Sequence, residues 1–169
     1  INSDNEVDRF SLYIIRLLKI AVKTPNILTK IGLDKITDCL GYRLIVKSVE
    51  RVADHATKIA QTVLQIENKI DKEIVNKLEE LSIFSLEVFE ESSKALFKED
   101  YTTSNEIVEK AKSIEKKEID LTNLLKNRDV IEQTNINLII EHIRRTAEYA
   151  SDIAEIILNM TAEKFLDKK

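Results

Sequence analysis

Val49-Glu-Arg-Val-Ala-Asp-His-Ala-Thr-Lys-Ile-Ala-Gln-Thr-Val-Leu64 and Ile143-Arg-Arg-Thr-Ala-Glu-Tyr-Ala-Ser-Asp-Ile-Ala-Glu-Ile-Ile-Leu158 are two copies of one helical segment. Arg51/Arg145, Ala53/Ala147, Ala56/Ala150, Ile59/Ile153, Ala60/Ala154 and Leu64/Leu158 are identical, and Val49/Ile143, Asp54/Glu148, Thr57/Ser151 and Val63/Ile157 are near matches. Helical periodicity alone aligns apolar with apolar positions. It does not align Arg with Arg or acid with acid, so the chain carries an internal repeat. A second echo precedes it, Glu6-Val7-Asp8 against Glu118-Ile119-Asp120. The two echoes have different offsets, which makes the connection longer in the first copy.

Composition agrees with a helical repeat. The 169 residues include two Gly and one Pro, with 43% hydrophobic and 33% charged residues. A sheet protein needs turn signals about every 8–12 positions, which this chain lacks, so the fold class is all-α. The formal charge is −4, with Lys+Arg 26 and Asp+Glu 30 intermixed, which supplies no concentrated basic face and argues against direct nucleic-acid binding. One cysteine, Cys39, excludes an internal disulfide or a cysteine-based zinc cluster and fits a cytoplasmic setting. Near a helix start its thiol has a route to a lowered pKa, yet a small packing residue is the simpler role. No apolar run reaches the ~20 residues of a membrane span, so any membrane association is peripheral.

Apolar spacing predicts five long helices. They cover approximately 4–23, 34 or 38 to 67, 72–98, 101–126 and 129–164, with Asp71 capping the third. Thr24-Pro25 opens a short helix closed by Gly32, with Pro at the first helical position and Gly past the end. The repeat divides the chain into a first unit, 1–67, containing the insertion 24–34, and a second unit, 71–166. The second unit reads as three helices and the first as two. The first unit's leading helix is therefore expected before Ile1, and the absence of Met at the start agrees with a truncated chain.

Glu50-Arg-Val-Ala-Asp-His-Ala-Thr-Lys-Ile-Ala60 resembles the signature of the PhoU family, and Arg144-Arg-Thr-Ala-Glu-Tyr-Ala-Ser-Asp-Ile-Ala154 resembles its counterpart in the second bundle of that family. Asp4-Asn-Glu-Val-Asp8 is similar to the acidic motif on the middle helix of each bundle, and Ser92-Ser-Lys-Ala-Leu-Phe-Lys-Glu-Asp-Tyr101 to the first-to-second helix connection. The similarity is greatest to the archaeal branch, in which such bundles can follow a small DNA-binding domain. The resemblance implies tandem three-helix bundles, the first lacking its leading helix here. It implies a cytoplasmic negative regulator of phosphate uptake rather than an enzyme, with the phosphate ABC transporter and its sensor kinase as partners. It also implies iron or zinc as cofactor, held by acidic pairs spaced Asp/Glu-x-x-x-Asp.

Residues four apart lie about 40° apart around a helix. Glu50 and Asp54 form one such pair, opposite the apolar stripe of their helix, and Asp4 and Asp8 form another beside the apolar face of the first helix. If these helices lie side by side, four carboxylates converge, a donor set suited to hard cations such as Fe3+, Mg2+ or Mn2+, with zinc also possible. The competing reading is a solvated acidic face, with Lys58 four residues after Asp54 to neutralise it. In the second unit the corresponding acids are Asp120, Glu148 and Asp152. There Arg144 stands opposite Glu50 and Lys116 opposite Asp4, so a degenerate site is expected, held by Arg–carboxylate pairs in place of metal. His55 points about 100° from Asp54 and reads as a helix-flank residue. His142 lacks the Glu-x-x-His spacing of di-iron bundles. Arg51 and Arg145 recur at matching positions, to orient carboxylates, meet an anionic partner or form structural salt bridges. No Gly-rich phosphate loop is present.

Two other function classes compete. A helical dimerisation or effector domain of a DNA-binding transcription regulator predicts an exposed apolar patch and indifference to metal. A carboxylate-bridged metalloenzyme predicts acids on the core-facing stripe and histidines at Glu-x-x-His spacing. An incomplete first bundle exposes its apolar stripe, from which a homo-oligomer is expected.

Overall fold

The computed structural model describes residues 2–126 and 128–166, with side chains for 4–126 and 128–162; Ile1 lies outside them. Among the described residues the chain is helical throughout, without strands. The helices are α1 (Asn2–Ala21), α2 (Pro25–Lys30), α3 (Asp38–Leu64), α4 (Lys72–Lys98), α5 (Tyr101–Lys112), α6 (Ile114–Leu124) and α7 (Val130–Leu166).

Local chemistry sets the boundaries. Pro25 opens α2, and the helix ends at Gly32 (φ 78), where Gly32 N–H donates to the Thr29 carbonyl and Leu33 N–H to that of Leu28. This is a Schellman stop, and a residue without Cβ meets its left-handed position at least cost. Asp71 accepts from Glu73 N–H at the start of α4 and forms an ion pair with Arg128 at 2.7 Å. At the other end of α4 the same stop is made by Glu99 in the left-handed region (φ 49), with Asp100 N–H reaching the Ala95 carbonyl. Asp100 then caps α5, accepting from Thr103 N–H at 3.0 Å and from the Thr103 hydroxyl at 2.7 Å.

The expected single helix over 101–126 is two. Ser113 interrupts it: its N–H turns to the Lys110 carbonyl at 3.1 Å, and its hydroxyl donates to that same carbonyl at 2.8 Å. A short polar side chain competing for backbone groups is the reason serine weakens helix interiors. The break falls between two cores. Ile107 and Ala111 of α5 pack with Val88, Ala95, Ile153 and Ile157, whereas Ile114 and Leu121 of α6 pack with Ile74, Leu81, Ile136 and Ile140.

α7 is common to both cores and packs against α3, α4, α5 and α6. α4, the α5–α6 pair and α7 make the three-helix bundle of the second unit. α1 and α3 make the two-helix counterpart, with a small core of Leu18, Ala21, Leu28 and Cys39. Cys39 is a buried packing residue, and burial raises its thiol pKa rather than lowering it, aided by Asp38. The repeat exposes the difference between the units. Ala147, Ala150 and Ala154 on α7 are fully buried, whereas their matches are not: Ala53 is half-buried and Ala56 and Ala60 are exposed. Phe10 and Tyr13 of α1 are 67% and 59% exposed, and Val63 of α3 is 50% exposed. These are exposed apolar positions on α1 and on α3.

α3 and α7 run antiparallel, since Gly41 lies against Met160 and His55 against His142. A Cβ at Gly41 would overlap the Met160 sulfur and stand 3.2 Å from Ile156 Cγ2. Gly41→Val is expected to destabilise the chain by about 1–3 kcal/mol through overpacking, read as a lowered urea midpoint. Asp100→Ala should cost about 1 kcal/mol through loss of the cap. The hydrogen bonds from Thr103 hold the Asp100 carboxyl below the usual carboxylate range. A depressed folded-state pKa contributes stability above the ordinary value near about 4, and that contribution disappears as pH falls through the folded-state value. Urea titrations of wild type and Asp100→Ala should therefore converge in acid.

Candidate metal centre

α1 packs along α3, and the two i, i+4 acidic pairs meet there. Asp8, Glu50 and Asp54 each offer a carboxylate oxygen such that the three atoms lie within 4.8 Å of one another, and all three residues are half-buried. Asp4 stands one turn before Asp8 on the same face. Its Oδ1 is shielded from water and accepts no hydrogen bond. Glu50 Oε2 is likewise shielded; no hydrogen bond reaches it, and its counter-charge is the Lys47 ammonium, in an ion pair. The Asp54 carboxyl pKa is raised, first by burial and then by the charges of Glu50, Asp4 and Asp8, against which Lys58 acts only in part. Four carboxylates thus share one small region with insufficient positive charge, an arrangement costly without a counter-cation. The donor set is all oxygen, which fits a hard cation, with zinc accommodated by carboxylates.

The second set behaves differently. Glu148 is held by Arg144 in an ion pair and by Arg145 Nη1 at 3.0 Å. Arg144 Nε also reaches Glu118 Oε2 on α6 at 3.2 Å. Asp120 is exposed and its charge falls on Lys77 of α4, while Asp152 is exposed beside Glu155 and Glu148. Among the described residues, Asp120, Glu148 and Asp152 form no three-ligand cluster. Glu118 is the α6 acid that reaches α7.

Sequence reasoning missed the histidines as a pair. His55 Nδ1 and His142 Nδ1 lie 2.9 Å apart across α3 and α7, with ring centroids at 4.9 Å. Burial lowers the pKa of both rings; His142, Lys58 and Arg145 lower that of His55 further, and Lys58 that of His142. The contact needs one ring to donate its Nδ1–H and the other to accept it, and the lowered pKa values favour the uncharged form. The Tyr149 ring stacks at 5.6 Å from His55, with the Arg51 guanidinium 5.7 Å over it. The repeat matches His55 with Tyr149 and Arg51 with Arg145, so equivalent positions of the two units meet here, as at a two-fold interface. That correspondence was the available signal.

Residues 1–63 match the PhoU domain. The phosphate-specific transport system accessory protein PhoU homolog of Borreliella burgdorferi is 28% identical over 134 residues, which cover 73% of this chain and 60% of that protein. The crystal structure of the phosphate transport system regulatory protein PhoU from Streptococcus pneumoniae shares the fold with a TM-score of 0.79 at 21% identity, over 96% of this chain and 77% of that one. Over residues 1–63 the chain is thus similar to the PhoU domain, and along most of its length it shares the fold of a PhoU protein. It spans 60% of the length of the curated relative. The residues 1–63 that match the PhoU domain contain Asp4, Asp8, Glu50 and Asp54, so the first cluster lies within that match.

The histidine contact yields a direct test. His55→Ala and His142→Ala should each destabilise the chain, and the double variant should lose less than the sum. Because the rings are mutual partners, the coupling in a double-mutant cycle is expected at about 0.5–1.5 kcal/mol, measured by urea unfolding. Strict additivity would mean that the two rings do not bond.

Proposed function

We propose that this chain is a regulator of phosphate uptake that acts by protein–protein contact and carries a metal ion at the junction of α1 and α3. The regulatory reading is supported by the match of residues 1–63 to the PhoU domain and by the accessory role in phosphate transport of the similar Borreliella burgdorferi protein, and the shared PhoU fold agrees with it. Its partners are the phosphate transporter and the sensor kinase, met at the cytoplasmic face. Among the described residues no helix is long and apolar enough to cross a membrane. The exposed apolar residues of α1 and α3 provide a contact surface, and they are also the feature expected of a homo-oligomer. No catalytic role is assigned to the chain.

One observation carries the metal reading: an orphaned, shielded Asp4 oxygen beside three converging carboxylates. Asp8, Glu50 and Asp54 would hold the ion, with Asp4 beside them, and the ion would be iron or zinc. Once bound, it supplies positive charge that cancels the repulsion and ties α1 to α3. Lys47 and Lys58, already at the edge of the cluster, limit the negative charge left for the metal to neutralise.

Elemental analysis of the purified chain beside E50Q/D54N tests this. Equimolar or greater iron or zinc is expected in the wild type and none in the variant. Wild-type protein that remains metal-free after reconstitution with both metals would overturn the metal assignment. Retention of the phosphate transporter on an immobilised chain, lost when Phe10→Asp and Val63→Asp are combined, is the outcome expected for contact through these exposed residues.

A further inference from the structure

Superposing the burial patterns of the two units, rather than their letters, changes the correspondence between the acidic helices. On α1, Asp8 is half-buried and precedes buried Ser11; on α6, Glu118 is half-buried and precedes buried Leu121. Asp120, the match suggested by the Glu-x-Asp echo, lies on the exposed side. The triad equivalent to Asp8, Glu50 and Asp54 is therefore Glu118, Arg144 and Glu148. Two positions keep a carboxylate, and the third replaces Glu50 with a guanidinium.

The geometry points to Arg144 as a tethered cation that occupies the role of the metal in the second unit, leaving a latent metal site that one substitution opens. Arg144 bridges two helices, with Nε to Glu118 on α6 and Nη1 to Glu148 on α7. The planar fork of arginine suits this, since its separate N–H groups can serve two carboxylates at once, whereas a lysine offers a single charged point. Arg145 occupies the other oxygen of Glu148. The Arg144 side chain is 22% exposed, so the bridge is shielded from solvent screening more than a surface ion pair is.

An independent observation separates the two triads. Among the described residues, Asp4 Oδ1 is a buried side-chain oxygen that no hydrogen bond reaches, and Glu50 Oε2 is buried with only the Lys47 ammonium against it; no such oxygen belongs to the second cluster. The first cluster is short of donors and positive charge. The second is already neutralised by its own chain. Metal dependence is thereby confined to one half of the molecule, and the α6–α7 junction stays ordered whether or not metal is present.

This inference rests on the metal reading of the first cluster for its comparison, but its test does not. The E50Q/D54N background removes the first site, and R144E is added to it, restoring a three-carboxylate set. Each protein is reconstituted with zinc, dialysed and assayed for bound metal and for melting temperature with and without zinc. E50Q/D54N is expected to hold no zinc and to melt indifferently to it. Adding R144E should bring zinc to an equimolar amount and make the melting temperature zinc-dependent. Zinc retained by E50Q/D54N and lost on adding E118Q/E148Q would overturn the proposal, because the second cluster would then bind metal with Arg144 present. A folded R144E combination that takes up no zinc would also overturn it. Should R144E not fold, R144Q replaces it, and zinc must then raise its melting temperature for the proposal to stand. A wild-type chain without metal beside an R144E combination that gains it would sink only the reading of the first cluster.

Discussion

The antiparallel packing of α3 on α7 is the constraint on which the remaining arrangement depends. Each unit carries its charged motif on its last long helix, so the placement of these two helices determines where both clusters lie. Gly41 permits close approach at one end of the contact, and the His55–His142 pair adds a polar tie further along it. The meeting of His55 with Tyr149, equivalent positions in the repeat, is what a two-fold relation within one chain produces. A histidine hydrogen bond between helices also fixes rotation about their axes, which packing of small alanines leaves loosely determined.

The same backbone arrangement supports opposite electrostatic solutions. In one unit three acids and a fourth beside them accumulate more negative charge than Lys47 and Lys58 offset. In the other a guanidinium sits among acids and closes the balance internally. Ion pairs of this half-buried kind contribute through geometry as much as through charge, because the guanidinium plane specifies where both carboxylates must lie. Divergence of a repeat at a single position, Glu50 against Arg144, is therefore enough to change what the two halves require from their surroundings.

Much of this was legible from residue order. Two glycines and one proline preclude a sheet, and the 49–64 and 143–158 copies reveal the repeat because Arg and acid positions coincide as well as apolar ones. The convergence of Asp8, Glu50 and Asp54 followed from i, i+4 spacing on neighbouring helices. Other features were not readable. His55 and His142 are 87 residues apart, and neither sits at a recognised ligand spacing, so only tertiary packing unites them. The similarity of Glu6-Val7-Asp8 to Glu118-Ile119-Asp120 suggests a register that burial does not support, because letter matches carry no phase relative to the core. The interruption at Ser113 depended on a hydroxyl choosing a backbone carbonyl, a local competition that periodicity averages away.

The uneven coverage of the two alanine stripes has a consequence for cooperativity. α4–α7, with Ile45 and Ile59 of α3, enclose two continuous cores, whereas α1–α3 enclose a small one and leave apolar residues of α1 and α3 exposed. Such a molecule divides naturally into segments of unequal protection, in which amide hydrogens of α1 exchange through local opening while those of α7 wait for global unfolding. The orphaned oxygens lie in the weakly protected segment. A ligand bound there acts on the part of the chain with most order to gain, and by mass action it draws the looser segment toward the protection of the rest.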